Sequence, residues 1–217
     1  MACAICETRK EKRFCPAVHG RICPTCCGTE REVTLDCPSE CPYLQQARRH
    51  ERTRDFAEQA TTVFPQVDIP EDVTYRREPL IVALSYCLVK ASRRDRALHD
   101  GDVMAALNAI AKTHETLVNS GLFYETPTAN PVQQVIVVEL QTTLKQYREA
   151  EQKQVGYSSL RDSEALQVLV LLLRLAHART SGRPRSRAFL DFLAEGFREK
   201  DSLIASPDDA GSRLIVP

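Results

Sequence analysis

Eight of the chain's nine cysteines fall within its first 41 residues. A segment so short and so poor in apolar side chains does not fold without a staple. The cysteines are Cys3, Cys6, Cys15, Cys23, Cys26, Cys27, Cys37 and Cys41, and the large apolar residues among them are only Ile5, Phe14, Val18, Ile22, Val33 and Leu35. Cys3/Cys6 and Cys23/Cys26 have the C-x-x-C spacing, and Cys37/Cys41 have C-x-x-x-C. Such pairs let two thiolates grip one ion from a tight turn, at a metal–sulfur distance of ~2.3 Å for zinc. Metal binding would then supply the stability that the segment lacks.

Metal and disulfides compete for this reading, and the compartment decides between them. The N-terminus, MACAICETRKEKR, has no apolar stretch of the kind a secretory signal needs. The longest apolar run, residues 168–173, is far short of the ~20 residues that span a bilayer. The expectation is a cytoplasmic protein, where thiols stay reduced and dense cysteines point to metal. In a secreted chain the same eight cysteines would instead make four bridges.

Eight sulfurs suit two four-cysteine sites. The adjacent Cys26 and Cys27 sharpen this, because neighbouring side chains in extended backbone point in opposite directions. The spacing predicts an interleaved pair of zinc sites. Site one takes Cys3, Cys6, Cys23 and Cys26, and site two takes Cys15, Cys27, Cys37 and Cys41. His19, four residues after Cys15, is a substitute ligand for Cys15 or Cys27 or else an exposed loop histidine beside Gly20. A single ion with leftover thiols is the structural alternative. Iron–sulfur clusters also take four cysteines. Paired knuckles separated by ~10–20 residues favour structural zinc.

Beyond Pro42 the texture turns helical. The predicted fold is mainly α: a small Cys-rich zinc module over 1–42, a charged helix and linker over 43–78, a bundle of about five helices over 79–200, and a tail over 201–217. With aromatics at 6% and no Trp, the core must be aliphatic. Residues 43–60 read as a charged, weakly amphipathic helix whose apolar positions are Phe56, Ala57 and Ala60. Residues 61–78, with Pro65 and Pro70, read as extended. Apolar residues then recur at three- and four-residue steps from Pro79, from Asp100–Asp102 to Gly121, from Asn130–Pro131, from Ser158 or Ser159, and from Pro184. The fourth of these helices is apolar all round, which predicts the central, buried one. The tail ends in Leu214, Ile215 and Val216 and reads as docked or loop-like.

The segment FCPAVHGRICPTCCGTEREVTLDCPSECPYL (14–44) and the stretch DVMAALNAIAKTHETLVNSGLFYE (102–125) resemble a family of uncharacterised bacterial proteins with a Cys-rich N-terminus and a helical remainder. In general form the first segment also resembles cross-brace zinc fingers of the HIT, MYND and B-box kind, although the CxxCC triplet departs from their spacing. The resemblance to those fingers implies structural zinc and protein–protein contact.

Three functions compete. Nucleic-acid binding draws on Arg48, Arg49, His50, Arg52 and Arg54 and on Arg183, Arg185 and Arg187. Residues 1–54 carry ten Lys/Arg against seven Asp/Glu, a balance of +3 that eight thiolates and two divalent ions turn to −1. The whole chain has zero net charge, so no basic field steers it to phosphates. An enzyme would need an open metal position or a catalytic motif, and no P-loop, dinucleotide fingerprint, HExxH or GxSxG occurs. His99–Asp100–Gly101–Asp102 reads as a helix cap, His114 and His177 as core or boundary residues, and Cys87 as a small buried hydrophobe. The preferred reading is a non-enzymatic interaction protein carrying two structural zinc ions, with a protein partner and no membrane. A nucleic-acid-binding regulator and an iron–sulfur or redox sensor are the alternatives.

Overall fold

The structure is a computed structural model and describes residues 1–51 and 67–201. The expected helix beyond Glu51, with Arg52, Arg54, Phe56, Ala57 and Ala60, lies outside the described residues. So do residues 61–66 of the expected linker and the tail from 202 onward.

The Cys-rich segment contains a short antiparallel hairpin, β1 (Arg13–Cys15) with β2 (Gly20–Ile22), and two helices, α1 (Pro24–Glu30) and α2 (Pro42–Glu51). Its core is a cluster of Cys3, Cys15, Ile22, Cys23, Cys26 and Cys27, with Leu35 and Tyr43 against it. Only one of those six buried residues is not a cysteine, so ordinary apolar burial contributes little here. Arg13 lies over the Tyr43 ring at 4.5 Å and ties α2 to the hairpin.

The rest is helical: α3 (Glu71–Arg76), α4 (Glu78–Arg94), α5 (Asp100–Ser120), α6 (Pro131–Val155), α7 (Asp162–Arg179) and α8 (Ala188–Asp201). Five of these make the bundle. A short turn joins α4 to α5. α5 ends at Gly121, which adopts the left-handed φ of 71° that only glycine takes without strain. The chain then returns along α5, the Thr126 N–H donating to the Thr113 hydroxyl, until Asn130 and Gln133 donate to Asp102 at the start of α5. α6 therefore runs parallel to α5, and α4 lies against it antiparallel, with Arg94 on Glu139 near one end and Arg77 on Glu151 near the other. α7 packs on α5, α4, α3 and α8 and buries Ala165, Leu166, Val168, Leu169, Val170, Leu172, Leu173 and Ala176. It is the central helix that its all-round apolar sequence predicts.

Two expectations need correction. Residues 61–78 are not extended throughout: α3 forms at 71–76, with Pro70 at its N-cap, Glu71 and Asp72 in its first turn and Val73 in the core. The last helix begins at Ala188 rather than Pro184. Residues 183–187 are held out of helix by long-range bonds. Asp100 is fully buried on α5 and caps the start of α8, accepting the Phe189 and Leu190 N–H groups and the Ser186 hydroxyl. α7 likewise starts at Asp162, because Ser158 and Ser159 are turned toward the Glu151 carboxylate.

At the far end of the bundle Arg77 is buried between Glu164 (2.6 Å) and Glu151 (2.9 Å) and also donates to the Ser159 carbonyl. Burial alone would raise both carboxyls. For Glu164 the Arg161 N–H and Arg77 outweigh burial, and for Glu151 the two serines and Arg77 do, so both pKa values lie below the usual range. A depressed carboxyl contributes stability that is complete above its unfolded value of ~4.3 and is lost as pH falls through the lower folded value. Arg77→Ala removes one charged partner from each carboxylate, leaving Glu164 with Arg76 and Glu151 with its two serines, and should cost about 2 kcal/mol in urea unfolding at neutral pH. It should also flatten the acid limb of the stability profile, since the folded carboxyls regain pKa values nearer the unfolded ones.

Candidate metal centre

Three short elements bring four sulfurs together. The first knuckle is a turn in which the Glu7 N–H donates to the Cys3 carbonyl at 2.8 Å, Glu7 taking φ 54°. The hairpin delivers the second: the Lys12 N–H bonds to the Ile22 carbonyl and the Ala4 N–H to the Arg21 carbonyl, which lays the first turn beside the end of β2. Cys23 is the N-cap of α1, Pro24 occupies the first turn, and the Cys26 N–H donates back to the Cys23 sulfur at 3.4 Å. The sulfurs of Cys3, Cys6, Cys23 and Cys26 consequently all lie within 4.8 Å of one another. A tetrahedral ion with ~2.3 Å bonds would hold four sulfurs ~3.8 Å apart, so small adjustments close the set. This group could hold a metal ion.

The electrostatics agree with that chemistry. The Cys3 sulfur accepts the Cys23 N–H at 3.2 Å and the Ile5 N–H at 3.5 Å. Bonds from the Thr8 side chain and from the Arg9 and Thr8 backbone pull the Cys6 thiol down to about 5. The Cys26 N–H, helped by neighbouring thiols and Arg9, outweighs burial and lowers Cys23. Burial first, then the sulfurs of Cys23, Cys6 and Cys3, push Cys26 up to about 12. Four sulfurs this close cannot all ionise beside one another without a cation among them. Arg9, which bonds to the Cys23 sulfur, adds positive charge from outside the group, and the sulfurs raise its own pKa in return.

The other predicted ligands are placed differently. Cys15 ends β1, Cys27 lies on α1, and Cys41 directly precedes α2, its carbonyl accepting the Leu44 and Gln45 N–H groups. These three are buried and Cys37 is half-buried. All four line one small cavity of about 10 Å³ together with Arg31, Leu35 and Tyr43. Among the described residues they do not draw together as closely as the first four. Cys26 and Cys27 are separated by the ~100° step of a helix and not by the pleat of an extended strand. His19 is exposed in the hairpin turn at φ 49° and is not part of the gathered group. Cys87 packs against the bundle core, where burial pushes its thiol up against an opposing bond from Thr143. Burial also lowers His114 and His177, Arg148 adding to the effect at His114.

Four of the arginines singled out in the sequence, Arg48, Arg183, Arg185 and Arg187, are engaged within the fold, while Arg49 is exposed and Arg52 and Arg54 lie outside the described residues. Arg48 bridges Glu32 (2.8 Å) and Asp191 (2.7 Å). Arg183 donates to the Gly28 and Arg31 carbonyls, Arg185 pairs with Asp36, and Arg187 donates to the Ser92 carbonyl in the last turn of α4 and to the Arg96 and Leu98 carbonyls in the turn that follows it. Glu32, the hub of these contacts, gave no signal in the sequence; a lone glutamate between Cys27 and Cys37 reads as surface charge. No protein-family profile, curated protein or solved structure matches the chain. Among the described residues no helix is long and apolar enough to cross a membrane.

Arg9→Ala should leave the number of bound ions unchanged and weaken affinity roughly tenfold, the scale on which outer-shell partners act. Competition with a chromophoric chelator measures this.

Proposed function

We propose that the chain is a non-enzymatic interaction protein whose Cys-rich segment is built on two structural zinc ions. One ion sits on Cys3, Cys6, Cys23 and Cys26 and the other on Cys15, Cys27, Cys37 and Cys41. The observation that carries this reading is the gathered group of four sulfurs in a core made almost wholly of cysteine. Four thiolates fill a tetrahedral ion and leave no position for water or substrate, which is the hallmark of structural sites. Reduced thiols at this density suit the cytoplasm.

A protein partner is favoured over nucleic acid by the surface. Arg48, Arg183, Arg185 and Arg187 spend their donors on carboxylates and carbonyls of this chain, which withdraws them from phosphate contacts. Apolar side chains are meanwhile left open to solvent. Leu122, Phe123 and Tyr124 are each more than 60% exposed in the α5–α6 connection, and Val132, Val135 and Val138 line the first turns of α6. Aromatic side chains in solvent are typical anchors of protein interfaces.

Metal analysis of protein purified without added metal should give two zinc per chain. Iron with visible absorbance would point to a cluster, and a single zinc would remove the second site. Binding to duplex or single-stranded nucleic acid should be weak. A tight complex with a log–log salt slope of several units would replace the protein-partner reading.

A further inference from the structure

The two cysteine sets stand in different relations to the helices. Residues 28–36, which Cys27 and Cys37 flank, carry the docking contacts. The Gly28 and Arg31 carbonyls accept Arg183 at 3.2 and 2.7 Å. Glu32 is 1% exposed, its carboxylate accepts Arg48 and the Ser181 hydroxyl, and its carbonyl accepts the Arg185 N–H at 2.8 Å. Asp36 pairs with Arg185 at 2.7 Å and with His99 at 3.4 Å. The remaining contacts come from α2, which Cys41 precedes and which carries Arg48.

This loop has little structure of its own. The N–H groups of Val33, Thr34 and Leu35 converge on the single Glu30 carbonyl. Glu32 takes φ 53°, a left-handed conformation that costs a non-glycine residue about 1 kcal/mol and persists only where its surroundings impose it. The Glu32 backbone also faces the Cys37 sulfur closely enough to favour its thiolate, against the burial that raises it. Arg31, at the start of the loop, lines the same cavity as Cys15, Cys27, Cys37 and Cys41, and its buried Nε has no hydrogen-bond partner among the described residues. A cation-bound set of four thiolates carries a net charge of −2, which such a guanidinium would complement.

We propose that the ion on Cys15, Cys27, Cys37 and Cys41 is a clamp that holds residues 28–36 in their docking form. Loss of this ion alone undocks the Cys-rich segment from the helices, while the ion on Cys3, Cys6, Cys23 and Cys26 stays bound. The proposal rests on the two-ion reading and gives the two ions separate tasks: one fastens the first turn to the start of α1, and the other, whose Cys15 and Cys27 belong to the same core, extends that core to the junction loop through Cys37 and Cys41.

Native mass spectrometry and amide hydrogen exchange on the full chain test it together, with wild type, Cys37→Ser, Cys6→Ser and Glu32→Ala compared. The reporter is the Arg185 N–H, which bonds across the junction to Glu32. Cys37→Ser should retain one zinc and exchange at Arg185 at least tenfold faster, with the bundle helices still protected. Cys6→Ser should also lose one zinc yet keep Arg185 protection within about twofold. Glu32→Ala should keep both ions and lose the protection, which separates docking from metal binding and does not depend on the cysteine variants folding. Wild type with one ion would overturn the two-ion reading and the clamp with it. Wild type with two ions, and Arg185 protection unchanged in Cys37→Ser or lost equally in Cys6→Ser, would overturn the clamp alone.

Discussion

The arrangement of the whole molecule turns on one buried carboxylate. Glu32 sits between a segment with a sulfur core and a bundle with an aliphatic one, and it is removed from water. Taking a carboxylate out of water costs several kcal/mol unless its oxygens are met by donors. Arg48 meets one oxygen and the Ser181 hydroxyl the other, while the Glu32 carbonyl takes the Arg185 N–H. Arg48 also reaches Asp191 on α8, so one guanidinium joins the loop, α2 and the last helix. These bonds are directional. An apolar face of the same size would permit many orientations, whereas this set is satisfied in one.

The arginines that complete the junction are a choice of chemistry as well as of charge. A guanidinium offers five donors in a planar fork, so one side chain can serve two or three carbonyls. Arg187 does this within the bundle, supplying donors to the Ser92 carbonyl in the last turn of α4 and to the Arg96 and Leu98 carbonyls in the turn that follows it. Arg183 does the same just past the end of α1, which is otherwise capped by no glycine. A lysine at either place would carry the charge without the fork. The same fork makes arginine a phosphate ligand, and for that reason the run of Arg183, Arg185 and Arg187 reads in sequence as a nucleic-acid patch.

The sequence made the bundle legible because its signals are local. Apolar periodicity, Asn130 before Pro131, the aspartates at 100 and 102, and Gly121 mark α4 to α7 to within a few residues. The C-x-x-C pairs are local as well, and they lead directly to the four sulfurs that gather. What stayed hidden is what distant residues decide. Asp100 reads as the cap of its own helix, but its carboxylate caps α8, some ninety residues on. Helix α3 is too short to show a period and forms because Val73 finds the core. Glu32 has no pattern at all, since its role is set by Arg48 on α2 and by Ser181 and Arg185 in the α7–α8 connection.

A polar junction between two separate cores also has a physical logic. Each apolar core closes on itself, the bundle through the aliphatic faces of its helices and the Cys-rich segment through sulfur. Joining them through a large apolar interface would have exposed a contiguous greasy surface whenever the junction slipped, at ~25 cal/mol per Å² and with a risk of self-association. Hydrogen bonds and ion pairs fail more gently. Each contributes only ~1 kcal/mol net when formed, because water replaces the lost partner when it opens. Glu32 gains most from that exchange, since a carboxylate that leaves its buried place recovers its full hydration. A junction made this way can open without exposing a contiguous apolar surface.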